Sequence, residues 1–252
     1  MLKLAEIAKL GRDLRQDDWD DIGAPTQELI AEAVDDGRLD EAKALGRYMV
    51  TEGKALHDLF CDWIWDLLSQ VAKRSGEEAM FDVLKDSQSS WMLKRTWRGF
   101  LNLSVEERVQ LSAEMMRSHR GGPKQDGEID VIEDDEKFVI RMDPCGSGGR
   151  MRRGDPVEGT GSRLEPPYSF GVTQEAHDWA WGKKNVPYYC LHCAVNERMP
   201  MEWGGHPLWV TGYEDDAAKP CEWRFYKRAE DIPDEYYTRQ GFTKPAAGEG
   251  DY

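Results

Sequence analysis

The chain is short of positive charge: 33 Lys and Arg stand against 48 Asp and Glu, a formal net charge of −15 over 252 residues. A field of that sign repels phosphate backbones and anionic lipid headgroups, so neither nucleic acid nor a membrane surface is an expected partner. Long apolar runs are missing as well. No stretch approaches the ~20 consecutive apolar residues of a membrane span, and the opening MLKLAEIAKL interleaves charges at helical spacing, unlike a basic segment followed by an apolar leader core. Cysteine is scarce: there are five, an odd number, and four of them fall between Cys145 and Cys221. That distribution speaks against a disulfide framework and for metal or thiol chemistry in a reducing compartment, which makes the cytoplasm the expected location. No internal repeat divides the chain. Its length suits one large domain or two modest ones, either of which buries enough surface to fold without covalent staples.

What is present changes character midway. Over 1–120 apolar residues recur at three- and four-residue steps, as in Leu2, Ile7 and Leu10, in Leu29, Ile30 and Ala33, and in Leu56, Leu59, Phe60, Trp63, Leu67 and Val71. This is the spacing of amphipathic helices. Pro25 and Thr26 open one, Asp36 and Gly37 interrupt it, Ser75 and Gly76 break a long third element, and Ser104 with Glu107 forms a capping box. The pattern predicts a bundle of four or five helices. Residues 121–127, GGPKQDG, read as a linker. In the region 128–243 the period shortens: Ile129, Val131, Phe138, Ile140 and Met142 alternate about an acidic turn at 133–136 and predict a β-hairpin. The β-favouring runs 207–213 and 221–226 predict a second one. Between the hairpins, 146–187 is Gly/Pro-rich and without period, and its Tyr168, Phe170, Trp179 and Trp181 argue against simple disorder. A flexible tail is expected over 244–252. The expected fold class is α+β: an N-terminal helical bundle followed by a small antiparallel β region with long loops and a cysteine metal knuckle.

Chemistry concentrates in the second half. Cys190 and Cys193 have the two-residue spacing that lets two thiolates on one turn reach the same ion, while Cys145 and Cys221 each sit beside a proline at the end of a β segment. If the hairpins bring all four together they form a tetrahedral thiolate set for zinc, or alternatively the seat of an iron–sulfur cluster. A redox dithiol and plainly buried cysteines are the competing readings. A four-thiolate zinc is coordinatively closed and structural, whereas exchange of one sulfur for His192, His177 or His206 leaves room for an acidified water. These three histidines are therefore the candidate catalytic groups, with an imidazole that points away from the ion or a plain turn histidine as the alternatives.

The string DPCGSGG at 143–149 supplies glycines whose backbone N–H groups can converge on an anion, with Ser147, Arg150 and Arg152 as candidate substrate contacts and Arg153 beside them. Its Pro-Cys-Gly-Ser-Gly resembles the start of the small zinc-binding motif at the C-terminus of the SecA translocation ATPase. Asp143 stands where that motif has an earlier cysteine, and 151–155 hold no thiol, so the resemblance covers five residues and carries neither fold nor partner. The same loop also reads as a flexible turn with solvated arginines, or as one that presents Cys145 as a nucleophile with His177 or His206 as base.

Ten tryptophans are a heavy load, and half of them fall after residue 178. Trp181 and Trp209 are candidate pocket walls, set against the simpler reading of such residues as the core of a domain poor in Leu and Ile. In the helical half, His57 and Cys61 lie one turn apart, but Leu56, Leu59, Phe60, Trp63 and Ile64 around them predict a buried bundle helix in which Cys61 is a small hydrophobe. The composite expectation is a metal-dependent cytoplasmic enzyme, a hydrolase or lyase, acting on a small anionic or aromatic molecule. A structural-zinc interaction protein without catalysis is the alternative. A homo-oligomer is compatible with both.

Overall fold

The computed structural model describes residues 3–8, 12–20, 22–119, 128–143, 145–155 and 159–252; the expected linker 121–127 lies outside them. Strands β1 (Lys3–Ile7) and β2 (Arg12–Gln16) pair antiparallel with Ala5 opposite Leu14. This corrects the expectation of an opening helix. Apolar residues at Met1, Leu2, Leu4, Ala5, Ile7, Ala8 and Leu10 fit a helical and an alternating period alike, and pairing with β2 decides the matter. Helix α1 (Thr26–Asp35) begins directly after Pro25 and ends before Gly37, whose φ of 74° only glycine adopts without strain. Helix α2 (Leu39–Ser75) runs 37 residues and is stopped by Gly76 at φ 88°, where α3 (Glu77–Gln88) sets off in a new direction. A π-helical turn, Ser89–Leu93, joins α3 to α4 (Lys94–Phe100). Helix α5 (Val105–Arg117) opens with the expected capping box, Ser104 and Glu107 each accepting from the other's backbone N–H.

Strands β3 (Glu128–Glu133) and β4 (Lys137–Asp143) form the first predicted hairpin. The short α6 (Gly148–Arg153) and helix α7 (Leu191–Gly204) follow, before β5 (Val210–Gly212), β6 (Cys221–Tyr226) and the single-turn α8 (Glu235–Thr238). The two hairpins are one sheet of order β3-β4-β6-β5, joined where Ile140 faces Trp223 and Met142 faces Cys221. The protein is thus mixed helix and small antiparallel sheet, as an α+β fold requires. Helix α7 is the element that the sequence pattern does not announce, and it carries Cys190 at its N-cap and Cys193 in its first turn.

Both halves of the chain share the core. Cys61, Trp65 and Leu68 of α2 and Met80 and Phe81 of α3 pack with Trp179, Trp181, Leu191 and Val195. Trp97, Phe100 and Met116 pack with the sheet residues Ile140, Met142, Trp223 and Phe225 and with Trp209. The residues 244–252, expected as a flexible tail, lie against this body: the Asp251 N–H donates to the Gly204 carbonyl at 2.6 Å and the Tyr252 hydroxyl to the Tyr226 carbonyl at 2.5 Å. Helix α2 departs most from expectation. Its inward face is Lys54, Asp58, Cys61, Trp65 and Leu68, whereas Leu56, Leu59, Phe60, Trp63, Ile64 and Leu67 point to solvent. Among the described residues no helix is long and apolar enough to cross a membrane.

Candidate functional site

A cavity of about 370 Å³ opens where α5, α7, the glycine loop and the sheet meet. Its helical wall is Met92 and Leu93 of the π-turn with Met115 and Met116 of α5, and its floor is Met142, Trp209 and Trp223. These thioether and aromatic walls surround all four cysteines singled out by sequence, Cys145, Cys190, Cys193 and Cys221. The topology explains the gathering. Pairing of Met142 with Cys221 sets the end of β4, and so Cys145 just beyond it, beside the start of β6. The first turn of α7 closes in from the opposite side with its own pair. Gly148 makes this approach possible, because a Cβ there would lie 2.6 Å from the Cys190 sulfur.

All five cysteines are free thiols. Burial pushes the Cys190 thiol up to about 12, with nearby Cys145 and Cys221 raising it further against the pull of Arg152. Burial likewise raises Cys193, with Cys145, Cys190 and Cys221 adding to the effect, and lifts Cys221 to about 11. Among the described residues no three His, Cys, Asp or Glu side chains are gathered as a formed ion site.

The three candidate histidines separate. His192 lines the cavity, its Nδ1 2.6 Å from the Tyr189 carbonyl and its Nε2 3.4 Å from the Cys193 sulfur, and burial lowers its pKa below the ordinary histidine range. His177 stands apart, between the carboxylates of Glu77 at 3.0 Å and Glu78 at 3.1 Å and stacked on Trp179. His206 is buried between the Tyr237 hydroxyl at 2.6 Å and the Glu249 carbonyl at 2.8 Å, on a different and smaller pocket. His119, unremarked in the sequence, lines the cavity with its pKa lowered to about 4 by burial and by the charge of His57.

The candidate substrate contacts separate in the same way. Trp209, Ser147 and Arg152 line the cavity. Arg152 is spoken for by the protein, donating to the Tyr213 hydroxyl at 2.8 Å and the Glu214 carbonyl at 3.0 Å. Arg150 is buried in an ion pair with Asp58. Trp181 is a core residue whose indole donates to Glu197 at 3.1 Å.

Sequence reasoning misses a polar cluster behind the cavity wall, formed by the inward face of α2. Asp58 accepts from Lys54 at 3.0 Å, His57 at 2.9 Å and Arg150, and Lys54 also reaches Asp155 at 2.7 Å. His57 Nε2 stands 3.6 Å from the Cys61 sulfur, which is 2.9 Å from the Tyr189 hydroxyl, itself 2.7 Å from Ser147. Burial alone would lower the His57 pKa, but its hydrogen bonds to Asp58 and Cys61 prevail and hold it up at about 9. Burial alone would raise Asp58, but the bonds from His57 and Arg150 keep its carboxyl well below the usual carboxylate range. The order thiol, imidazole, carboxylate is that of a nucleophile with its base and orienting group, yet Cys61 is 3% exposed and closed off from solvent. The spacing 54, 57, 58, 61 on one helix was the available signal, masked by the apolar residues between.

Comparison of the chain with protein-family models, with curated proteins and with solved structures finds no match.

Proposed function

We propose that Cys145, Cys190 and Cys193 hold a metal ion, zinc, with Cys221 or a histidine completing its shell, at the wall of a cavity that takes a small apolar or aromatic molecule, and that the protein is a cytoplasmic metal-dependent enzyme. The observation that carries this reading is that four cysteines from three separate stretches of chain line one cavity. The donor set suits the ion: buried neutral thiols raise one another's pKa, and a soft divalent cation relieves that by taking them as thiolates. Five free thiols suit a reducing compartment. Bound zinc would supply a Lewis acid and, with an open coordination position, an acidified water. His192, neutral through burial and beside Cys193, is the group positioned to accept a proton. His177 and His206 have no part in it, since neither lines the cavity.

The ligand's character follows from the lining. Arg150 and Arg152 spend their terminal nitrogens on internal partners and keep only Nε without one among the described residues, which weakens the anionic alternative, while methionines and tryptophans favour an apolar or aromatic body. Gln88 Oε1, Asn196 Oδ1, Thr211 Oγ1 and Trp209 Nε1, all from lining residues, have no hydrogen-bond partner among the described residues and can serve a polar end of the ligand.

Elemental analysis of anaerobically purified protein, with absorption spectra of the native and cobalt-substituted forms, tests the site. The expected result is one zinc per chain, lost in Cys190→Ser/Cys193→Ser, with mixed sulfur and nitrogen or oxygen ligation of cobalt. Four-sulfur ligation would favour a structural zinc without catalysis, and iron with sulfide would favour a cluster. Metal-free protein with five freely titrating thiols overturns the reading.

A further inference from the structure

We infer that the outer face of α2 is the contact between two copies of this chain, packed antiparallel about a twofold axis. Leu56, Leu59, Phe60, Trp63, Ile64 and Leu67 follow one another at i, i+3, i+4, i+7, i+8 and i+11, so they form one continuous stripe. They are 57%, 63%, 47%, 64%, 44% and 54% exposed. A single exposed Leu is ordinary, but a row of six large apolar side chains on one helix marks an interaction surface. The opposite side of the same stretch is already in the core through Cys61, Trp65 and Leu68. A helix apolar on both sides belongs between two partners, and the described residues supply only one of them.

The stripe itself specifies the other. Its residues are symmetric about the point between positions 61 and 62: Phe60 mirrors Trp63, Leu59 mirrors Ile64 and Leu56 mirrors Leu67. An antiparallel pairing of two copies therefore sets Phe60 against the partner's Trp63, Leu59 against the partner's Ile64 and Leu56 against the partner's Leu67, all at once. This is the self-complementarity that a twofold interface demands, since each contact must occur twice. Charge selects the same direction. Glu52 lies one turn before the stripe and Lys73 and Arg74 lie beyond it, all exposed. Antiparallel packing brings the basic end within a turn of the partner's Glu52, whereas parallel packing would oppose like charges. From the observed exposures and side chains of roughly 150–250 Å², the stripe offers on the order of 600 Å² per copy. Two copies then bury about 1,200 Å² before flanking residues are counted, the lower bound of stable interfaces.

Sedimentation of the full chain between about 1 and 100 µM tests this, and the expected mass is twice 28.9 kDa. Trp63→Glu and Leu59→Glu should each weaken the dimer about 30-fold or more, as loss of a central anchor does. Both positions are exposed in the single chain, so their circular dichroism and melting should stay those of a folded protein. Arg74→Glu should weaken association, and Glu52→Lys combined with Arg74→Glu should restore it, because the pair acts between copies. A wild-type chain that stays monomeric at 100 µM overturns the inference, whether or not it then binds neutral phospholipid vesicles. So does a folded Trp63→Glu protein that dimerises as tightly as wild type.

Discussion

Replacing Asp58 with asparagine tests whether the cluster behind the cavity is an ionic network or only a set of proximities. The change keeps the side-chain shape and removes one charge. In the native protein that carboxylate answers Lys54, His57 and Arg150, and both Lys54 and Arg150 are buried. Breaking a buried pair by removing one partner costs about 3–5 kcal/mol. Lys54 keeps Asp155 at 2.7 Å and Arg150 keeps the His119 carbonyl at 3.2 Å, so we expect the lower end, about 3 kcal/mol. With a urea slope of about 2.5 kcal/mol per molar, the midpoint should fall by roughly 1 M. The pH dependence gives a second, independent reading. His57 is raised from 6.5 to about 9, so its stabilisation is complete below 6.5 and is lost as pH rises through 9. His119 and His192 are lowered, so they cost stability only below pH 6.5, and Asp58 itself acts only in acid. Between pH 7 and about 7.5, where cysteines of the unfolded chain are still about nine-tenths protonated, His57 is left as the leading contributor among the shifted groups. Wild-type stability should therefore decline there by up to about 1.4 kcal/mol per pH unit, and Asp58→Asn should flatten the slope. A loss under about 1 kcal/mol, or an unchanged slope in the variant, refutes the network as drawn.

Gly148→Ala adds a methyl group 2.6 Å from the Cys190 sulfur, which should destabilise the fold by roughly 1–3 kcal/mol and bring metal content below one equivalent, read by thermal denaturation and elemental analysis. An unchanged melting curve would mean that the loop does not press on Cys190. Trp181→Phe removes the indole N–H from the fully buried Glu197, which is left to Arg239 and the Thr211 amide. A loss of about 1–3 kcal/mol is expected in urea titration. Deleting residues 244–252 takes the Glu249 carbonyl from His206 and both terminal hydrogen bonds from the body, so the melting temperature should drop by several degrees; a neutral deletion would show the tail to be loosely held.

Much of the fold is legible where local chemistry alone decides. Pro25, Gly37, Gly76 and the Ser104 capping box bound helices because they act through their own backbone geometry, and the two hairpins follow from alternation beside a turn. Helix α7 is not legible because it is buried on most sides: Leu191, Ala194, Val195, Met199 and Met201 leave no polar stripe for a 3.6-residue period to reveal, and Pro200 inside it reads as a breaker. The CxxC therefore reads as a loop knuckle although it is a helix start. The convergence of Cys145 and Cys221 on that helix is legible only as a condition on the hairpins, since it depends on the register that sets Met142 against Cys221.

Helix α2 shows why periodicity identifies a helix without identifying its core. Two interleaved series with the same three- and four-residue steps run along it, one apolar at 56, 59, 60, 63, 64 and 67 and one mixed at 54, 58, 61, 65 and 68. Hydrophobicity alone assigns the first series to the interior, yet the second is inside, because Lys54 and Asp58 find partners in Arg150 and Asp155 that the sequence holds nearly a hundred residues away. A buried charge is tolerated when its counter-charge arrives with it. The apolar series is then the one left without a partner among the described residues, and the mirror symmetry of its residues about positions 61 and 62 is the feature of the sequence on which the pairing of two copies rests.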